Sequence, residues 1–358
     1  MLLPSFPVAS GPLGSRVTLF AKIQTVGVSA LAYNQGMPSR VVFMGTPEPA
    51  VQVLTGLVTA GHHVVAVYTQ PDKPAGRGRQ LAVSPVKRAA LEGGIPVFQP
   101  VSLRRRDAIE PLVSLSPDVM VVAAYGKILP RQALDAARRG GLNIHPSLLP
   151  RHRGPTPVPT TILEGDSVTG VTIILMDEGM DSGPILLQRE EPVASGDTAG
   201  TLTQRLFAVG TSMLLDAIDP WVRGEINLRM QDHAAATFTR MMRREDAELK
   251  FDLTARQLER HVRAFLPSPG VYTTWQGKLL KVLEAAVAQR PTGVDPGAVV
   301  ALPPGSAASV GVATAEGALA LLRVQLEGKR PLPINEFARG YRQFLGSVLP
   351  SPAPSPGL

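Results

Sequence analysis

Hydrophobic residues occur along the first two thirds of the chain as short apolar runs that alternate with longer amphipathic stretches. The runs predict strands at Arg40–Met44, Val64–Tyr68, Asp118–Ala123, Leu142–His145 and Gly170–Met176. The stretches predict helices at Pro47–Ala60, Asp107–Leu115, Leu129–Arg139, Thr156–Glu164 and Thr198–Ile218. Continuous apolar strands separated by helices are typical of a parallel sheet covered on both faces. Residues 39–223 are therefore predicted to form an α/β domain with a doubly wound, mostly parallel sheet.

The pattern changes after about Trp221. Residues 224–240 are polar without a clear period and are interpreted as a linker. A helix is predicted at Phe251–Phe265, because Thr254 and Gln257 have the spacing of a capping box. Short strands are then predicted at Val271–Trp275, Lys278–Ala286, Ala298–Leu302, Ser309–Ala313 and Ala318–Gln325. Such strands favour a small OB-like β-barrel over 241–347, followed by a disordered Pro/Ser tail at 348–358.

Composition excludes several classes of site. The 358 residues contain no cysteine, which excludes disulfides, a thiol nucleophile and cysteine-ligated metals. No apolar run reaches the roughly 18 residues of a membrane span, so we expect no membrane association. The first strand is not followed by a dinucleotide-binding glycine motif, and no histidines have metal-ligand spacing. We therefore expect no metal.

The net charge of +7 is unevenly distributed. Acidic and basic side chains balance within 39–239, and the excess is at the two ends, mostly after residue 240. A basic second domain is typical of a nucleic-acid partner. A solvated basic face without a partner is an equally good interpretation of charge alone.

The first 38 residues lack acids and periodicity. A disordered tail, a start mis-assigned upstream of Met37 and an organellar transit peptide are three interpretations, and the two basic residues present are few for a transit peptide. We favour the disordered tail and the mis-assigned start, either of which is consistent with a bacterial cytoplasmic protein. The transit peptide remains the organellar alternative.

Polar side chains follow two of the predicted strands. Asn143–Pro150 brings an amide, an imidazole and a hydroxyl to one strand end, and Asp177–Gly183 follows a later strand. Asn143 and His145 are two residues apart, so both point to one face of an extended chain. Ligands of doubly wound sheets bind at such ends, where a carboxylate could meet the imidazole across neighbouring strands.

An amide, an imidazole and a carboxylate without a Ser or Cys nucleophile suit direct group transfer to an amine. The amide or imidazole can stabilise an oxyanion, and the imidazole can also move the proton that the amine loses. A structural histidine, and aspartates that only form a turn, are the alternative interpretation.

These motifs resemble those of the folate-dependent formyltransferases, and Arg40–Leu345 as a whole resembles the methionyl-tRNA formyltransferases. The resemblance implies that Asn143, His145 and Asp181 are catalytic. It implies 10-formyltetrahydrofolate as the formyl donor, without a metal. It implies a folate site formed by Ser147, Leu148, Leu149, Pro150, Tyr125, Gly126 and Ile128, near Met176–Gly183.

A third motif narrows the resemblance from the folate-dependent formyltransferases in general to the methionyl-tRNA formyltransferases. The loop Thr69–Gly78 and the following Ser84–Lys87 are rich in Pro, Gly and basic residues, and as a pattern they indicate a mobile basic loop or a plain surface loop. The loop resembles the one that enters the acceptor end of tRNA in the family, which implies initiator methionyl-tRNA as the partner of a monomeric enzyme. The implied nucleic-acid-binding residues are Lys73, Arg77, Arg79, Lys87, Arg243, Arg244, Lys329 and Arg330.

One stretch departs from the family pattern. Arg151–Pro157 has His152 where the family has an aromatic residue, and Pro155-Thr156 where it has two alanines. The departure concerns contacts to the methionyl end of the substrate. Two rival functions remain, a folate enzyme with another formyl acceptor and a non-catalytic RNA-binding protein with the same fold.

Overall fold

The computed structural model describes residues 38–75 and 80–351. The predictions for residues 1–37, the loop residues Arg77 and Arg79, and nearly all of the tail lie outside the described residues.

Within the described residues, seven strands form one sheet and a short hairpin lies beside it. The strands in chain order are β1 Arg40–Gly45, β2 His63–Tyr68, β3 Lys73–Ala75, β4 Gln80–Ala82, β5 Val97–Phe98, β6 Val119–Ala123, β7 Gly141–His145, β8 Val168–Leu175 and β9 Ile185–Pro192. β3 pairs with β4, and the sheet order is β5-β2-β1-β6-β7-β8-β9. The first five strands of that order are parallel, so the predicted mostly parallel sheet is confirmed.

The last two strands of the sheet are antiparallel. β8 runs antiparallel to β7, and β9 runs antiparallel to β8. β9 was not predicted, because it lies at the sheet edge and reads ILLQREEP, with polar residues exposed over its second half. The sheet therefore reverses direction next to the strand that carries Asn143 and His145.

Helices cover the faces of this sheet and continue into the second half of the chain. They are α1 Glu48–Thr59, α2 Pro85–Glu92, α3 Arg106–Ser114, α4 Arg131–Leu134, α5 Pro157–Glu164, α6 Ala199–Arg223, α7 Ala255–Ala264 and α8 Ile334–Gly340. The predicted helix Leu129–Arg139 is too long, because the backbone N–H groups of Arg138 and Arg139 bond to the carbonyls of Pro117 and Asp118 instead of continuing the helix. Capping boxes begin α6 and α7, at Thr198 and Thr254.

The second half of the chain contains a curled antiparallel sheet, a half-barrel that agrees with the predicted OB-like fold. Its strands are β10 Val271–Trp275, β11 Lys278–Ala288, β12 Val299–Ala301, β13 Val310–Ala313, β14 Ala318–Leu326 and β15 Leu332–Pro333. Their order is β10-β11-β14-β13-β12, and β15 pairs with β14.

The two halves pack against each other through α7. The Arg260 guanidinium donates to the Glu164 carbonyl at the end of α5 at 3.3 Å, and Arg263 donates to the Asp197 carbonyl before α6 at 3.0 Å. One cluster of buried apolar side chains includes residues of both sheets. Across the described ranges, no helix is both long and apolar enough to cross a membrane.

Candidate active site

Asn143, His145 and Asp181 meet at the carboxyl end of β7. One Asp181 oxygen lies 3.4 Å from the Asn143 amide nitrogen, and the other lies 3.6 Å from His145 Nδ1. The second oxygen also accepts a hydrogen bond from the Gly154 backbone N–H at 2.8 Å. The imidazole is only 4% exposed. The structure therefore brings together the three side chains on which the interpretation of the sequence depends.

The path of the chain to Asp181 differs from the predicted one. Because β8 is antiparallel to β7, its end at Leu175 lies beside Leu142, at the start of β7. The loop of residues 176–184 then folds back toward His145. Gly183 makes the return possible, since a side chain there would collide with the Leu175 carbonyl. The carboxylate therefore meets the imidazole through this returning loop, and not across the ends of neighbouring strands.

The two aspartates of this loop have different tasks. Asp177 accepts hydrogen bonds from the Gly179 backbone N–H at 3.0 Å and the Ser182 hydroxyl at 2.9 Å, so it stabilises the turn. Asp181 has a φ of 51°, a left-handed conformation that Asp tolerates better than most residues. The strain is at the residue that faces His145, as is common where the surrounding structure fixes a functional side chain.

The His145 ring is held at both nitrogens. Nε2 lies 3.0 Å from the backbone carbonyl of His152, which can only accept a hydrogen bond, so Nε2 carries a proton. Nδ1 faces the Asp181 carboxylate at a looser 3.6 Å. In the neutral ring, Nδ1 therefore carries no proton and can accept one. A proton taken up there would lie next to the Asp181 carboxylate.

A cavity of about 150 Å³ adjoins the carboxylate of Asp181. Apolar side chains and the ends of the 176–181 loop surround it. Its lining is Lys127, Ile128, Leu129, Ile174, Met176, Asp177, Glu178, Gly179, Met180 and Asp181. A mostly apolar lining with a few polar and charged groups is typical of a small-molecule site.

Lys127 lines this cavity, and Tyr125 and Gly126 precede it in the chain. The Gln70 amide donates to the carbonyls of Tyr125 at 3.0 Å and Gly126 at 3.3 Å. Burial raises the pKa of Tyr125 to about 12, so its phenol is neutral. The Lys127 ammonium donates to the carbonyls of Pro100 and Val101, and its burial, with a smaller effect of Lys73, lowers its pKa.

The segment Ser147–Pro150 lies behind the cavity wall. The Ser147 hydroxyl donates to the Arg151 carbonyl at 2.6 Å and closes a turn. Leu148 is close to Gly170, where a side chain would collide with it. Leu149 is buried with Ile174 and Ile185, and the Leu149–Pro150 peptide bond is cis. The segment supports Ile174 from behind, and its assignment to folate binding stays a prediction.

Two buried polar residues beside the site were missed by the sequence analysis. Gln231 lies in the polar segment 224–240 and bonds to the carbonyls of Asp181 and Gly183, while Arg153 bonds to the Gln231 side chain. Nothing in the local pattern distinguishes Gln231 from its polar neighbours, so no sequence signal indicated it.

The departure at Arg151–Pro157 forms an ion-pair cluster. The His152 ring is buried and its Nε2 lies 3.0 Å from Asp166, while Arg151 pairs with Asp166 at 3.0 Å and Glu164 at 3.5 Å. Ligand atoms of His152, Glu164 and Asp166 are close enough for a metal ion. The single positive charge of Arg151 is already paired with both carboxylates, and the expectation of no metal stays a prediction.

The predicted nucleic-acid-binding residues are in different states. Lys87 is ion-paired with Asp72 at 2.5 Å, and Lys73 donates to Gln70 at 3.0 Å, so both stabilise the base of the loop. Arg243, Arg244, Lys329 and Arg330 are exposed, and Arg244 lies over the Tyr272 ring at 5.8 Å. Their role in tRNA binding stays a prediction.

Comparison with known proteins decides the family. The sequence model described as "Formyl transferase" matches residues 39–218, and "Formyl transferase, C-terminal domain" matches 241–342. The chain belongs to the methionyl-tRNA formyltransferase family. The methionyl-tRNA formyltransferase of Roseiflexus sp. (strain RS-1) is 49% identical over 315 residues, covering 87% of this chain and 96% of the relative. That of Marinobacter nauticus is 42% identical, covering 86% and 97%.

The solved structures of a sugar formyltransferase and of HypX have the same fold as this family member. The sugar 3N-formyl transferase WlaRD superposes with a TM-score of 0.57 at 17% identity, covering 82% of this chain and all of WlaRD. HypX from Aquifex aeolicus, solved in complex with tetrahydrofolic acid, superposes with a TM-score of 0.59 at 18% identity. That match covers 86% of this chain but only 48% of HypX, so the chain spans about half the length of that protein.

Proposed function

We propose that the protein transfers a formyl group from 10-formyltetrahydrofolate to the amino group of initiator methionyl-tRNA, making formylmethionyl-tRNA for translation initiation. The observation that carries the proposal is the convergence of Asn143, His145 and Asp181 beside the 150 Å³ cavity. A pterin ring would lie in this cavity, with its hydrogen-bonding edge toward the 176–181 loop.

The reaction requires a bond from the methionyl nitrogen to the formyl carbon, loss of the folate nitrogen from that carbon, and loss of a proton from the amine. The Asn143 amide would donate to the formyl oxygen as it becomes negative, which is typically worth roughly 10²–10³ in rate for one donor. His145 accepts the amine proton at Nδ1 and returns it to the folate nitrogen as that nitrogen leaves the formyl carbon, and Asp181 stabilises the imidazolium in between. General acid–base help of this kind typically contributes about 10²–10⁴.

The acceptor stem of tRNA would contact the loop of residues 69–82 and the exposed basic residues of the second domain, which 241–347 would form. Arg243, Arg244, Lys329 and Arg330 would meet the phosphates there. The enzyme would act as a monomer in the bacterial cytoplasm.

The test replaces the proposed catalytic groups. His145→Ala and Asp181→Ala should each lower kcat by about 10²–10⁴, because each variant removes a group that acts on the transferred proton. KM for tRNA should change little. His63→Ala is the matched control, since His63 is an exposed histidine at the start of β2, and it should retain the parental kcat.

The acceptor is tested directly by offering the formyl donor with methionyl-tRNA, a purine precursor or an amino sugar. Formylation of another acceptor in place of methionyl-tRNA would overturn the proposal. Near-parental turnover by either variant would overturn the assigned roles.

The basic loop has its own test. Arg77→Ala should raise KM for methionyl-tRNA and leave folate binding unchanged, because the family resemblance assigns this arginine to tRNA binding. An unchanged kcat/KM for tRNA would show that Arg77 has no such role.

A further inference from the structure

Gln231 connects the polar segment 224–240 to the loop that carries Asp181. Its side chain is buried, with 6% of the residue exposed. The amide nitrogen donates to the backbone carbonyls of Asp181 at 2.8 Å and Gly183 at 2.7 Å. The amide oxygen accepts from Arg153 Nε at 3.1 Å and Nη2 at 2.7 Å. Both ends of the amide are therefore in use.

The orientation of this amide follows from its neighbours. Arg153 can only donate hydrogen bonds, and the two loop carbonyls can only accept them, so the amide oxygen must face Arg153. The two carbonyls lie on either side of Ser182, at the point where the loop turns back. Without Gln231, the carbonyls of Asp181 and Gly183 would lose this donor, the second of them in a buried position, and the loop would be free to relax.

We propose that Gln231 is a positioning residue for formyl transfer, and that it holds the Asp181 carboxylate against Asn143 and His145. Its side chain reaches the backbone of Asp181 and none of the reacting groups. Asp181 has a left-handed φ of 51°, which the surrounding bonds must maintain. The proposal rests on the proposed function, because the position of Asp181 matters only if the carboxylate acts in catalysis.

The direct test is Gln231→Glu. The substitution keeps the size of the side chain and an oxygen for Arg153, but it removes both donors to the loop. We expect kcat for formyl transfer to fall about 10- to 100-fold, as for a small displacement of a catalytic group. KM for methionyl-tRNA and for the formyl donor should stay within about threefold, since Gln231 contacts neither.

Gln52→Glu is the matched control. The Gln52 amide also donates to a backbone carbonyl, that of Gln204, between α1 and α6. It lies outside the site, so this variant should retain the parental kcat. Thermal unfolding of both variants measures any effect on the fold separately.

A double-mutant cycle separates positioning from general stabilisation. In an Asp181→Asn background, Gln231→Glu should change kcat by less than about twofold, because the carboxylate that it positions is already absent. If Gln231→Glu does not fold, Arg153→Lys is the substitute, because it weakens the hydrogen bonds to the Gln231 oxygen. Its effect on kcat should likewise be smaller in the Asp181→Asn background than in the parent.

The outcomes distinguish this proposal from the proposed function. A parent protein that does not formylate methionyl-tRNA refutes the function, and the assignment of Gln231 with it. An active parent whose Gln231→Glu variant keeps its kcat refutes the assignment alone. Effects that multiply fully in the Asp181→Asn background refute it as well.

Discussion

Gly154 is a position at which a single methyl group should disturb the site. It has a φ of 109°, which L residues rarely adopt, and its N–H donates to the Asp181 carboxylate at 2.8 Å. In Gly154→Ala, the added Cβ would lie 2.7 Å from the Thr239 carbonyl oxygen and 2.9 Å from its hydroxyl. The segment 237–239 and the backbone of residue 154 cannot both keep their positions.

The size of the effect follows from these two conflicts. A non-glycine residue in a strained backbone conformation costs about 1–3 kcal/mol. Overpacking against backbone costs roughly another 1–3 kcal/mol. We expect Gly154→Ala to lose about 2–6 kcal/mol of unfolding free energy. If residue 154 moves to relieve the clash, Asp181 loses its N–H donor, and a misplacement near 1 Å should lower kcat about 10²-fold.

Urea unfolding measures the stability of Gly154→Ala, and a formylation assay with saturating substrates measures its kcat. Gly196→Ala is the control, because a Cβ at Gly196 meets no atom within 4 Å and its φ is not in the left-handed region. It should stay within about 0.5 kcal/mol of the parent. A parental unfolding midpoint for Gly154→Ala would show that the clash is absent. A lower stability with an unchanged kcat would show that the Gly154 N–H is not needed to place Asp181.

Two further predictions concern stability. Thr198→Ala removes the hydroxyl that accepts from the Thr201 N–H at 3.2 Å and should cost about 1 kcal/mol in urea unfolding, and no loss would show that the cap of α6 is dispensable. The hydrogen-bonded Arg240 guanidinium, helped by the Arg243 backbone N–H, lowers the pKa of Asp246 to about 2. Because the folded pKa lies below the ordinary value near 4, the pair stabilises the fold above pH 4 by roughly 1 kcal/mol once solvent screening of the half-exposed Arg240 is allowed for, and this is lost as the pH falls through 2. Asp246→Asn should therefore be less stable than the parent at pH 7, and the difference should shrink as the pH falls to 2 and below. A difference that does not change with pH would contradict this origin.

The sequence predicted the parallel half of the main sheet well, because β1, β2, β6 and β7 are apolar runs buried on both faces. It also predicted that Asn143 and His145 share one face, since that depends only on the period of a strand. The edge strand β9 escaped prediction because half of it is polar and exposed. The direction of a strand depends on how the chain connects it to its neighbours, so the composition of β8 did not predict that it runs antiparallel to β7.

The second group of site residues depends on tertiary contacts. Gln231 and Arg153 are 78 residues apart, and neither lies in a periodic element. Asp177 and Asp181 belong to one motif, yet only the folded loop shows which one stabilises the turn and which one faces the imidazole. Local sequence patterns identified Asp177 and Asp181 as candidates, and only the tertiary structure showed which contacts each one makes.

The segment between the two sheets has a practical consequence for building chimeras. Thr237 and Thr239 exchange backbone hydrogen bonds with Arg153, and Arg229 pairs with Ile185 at the start of β9. These residues follow the end of α6, yet they line the catalytic half. A hybrid that takes its second half from a relative should be joined after residue 240. A junction at residue 223 would import foreign side chains into the wall beside Asp181.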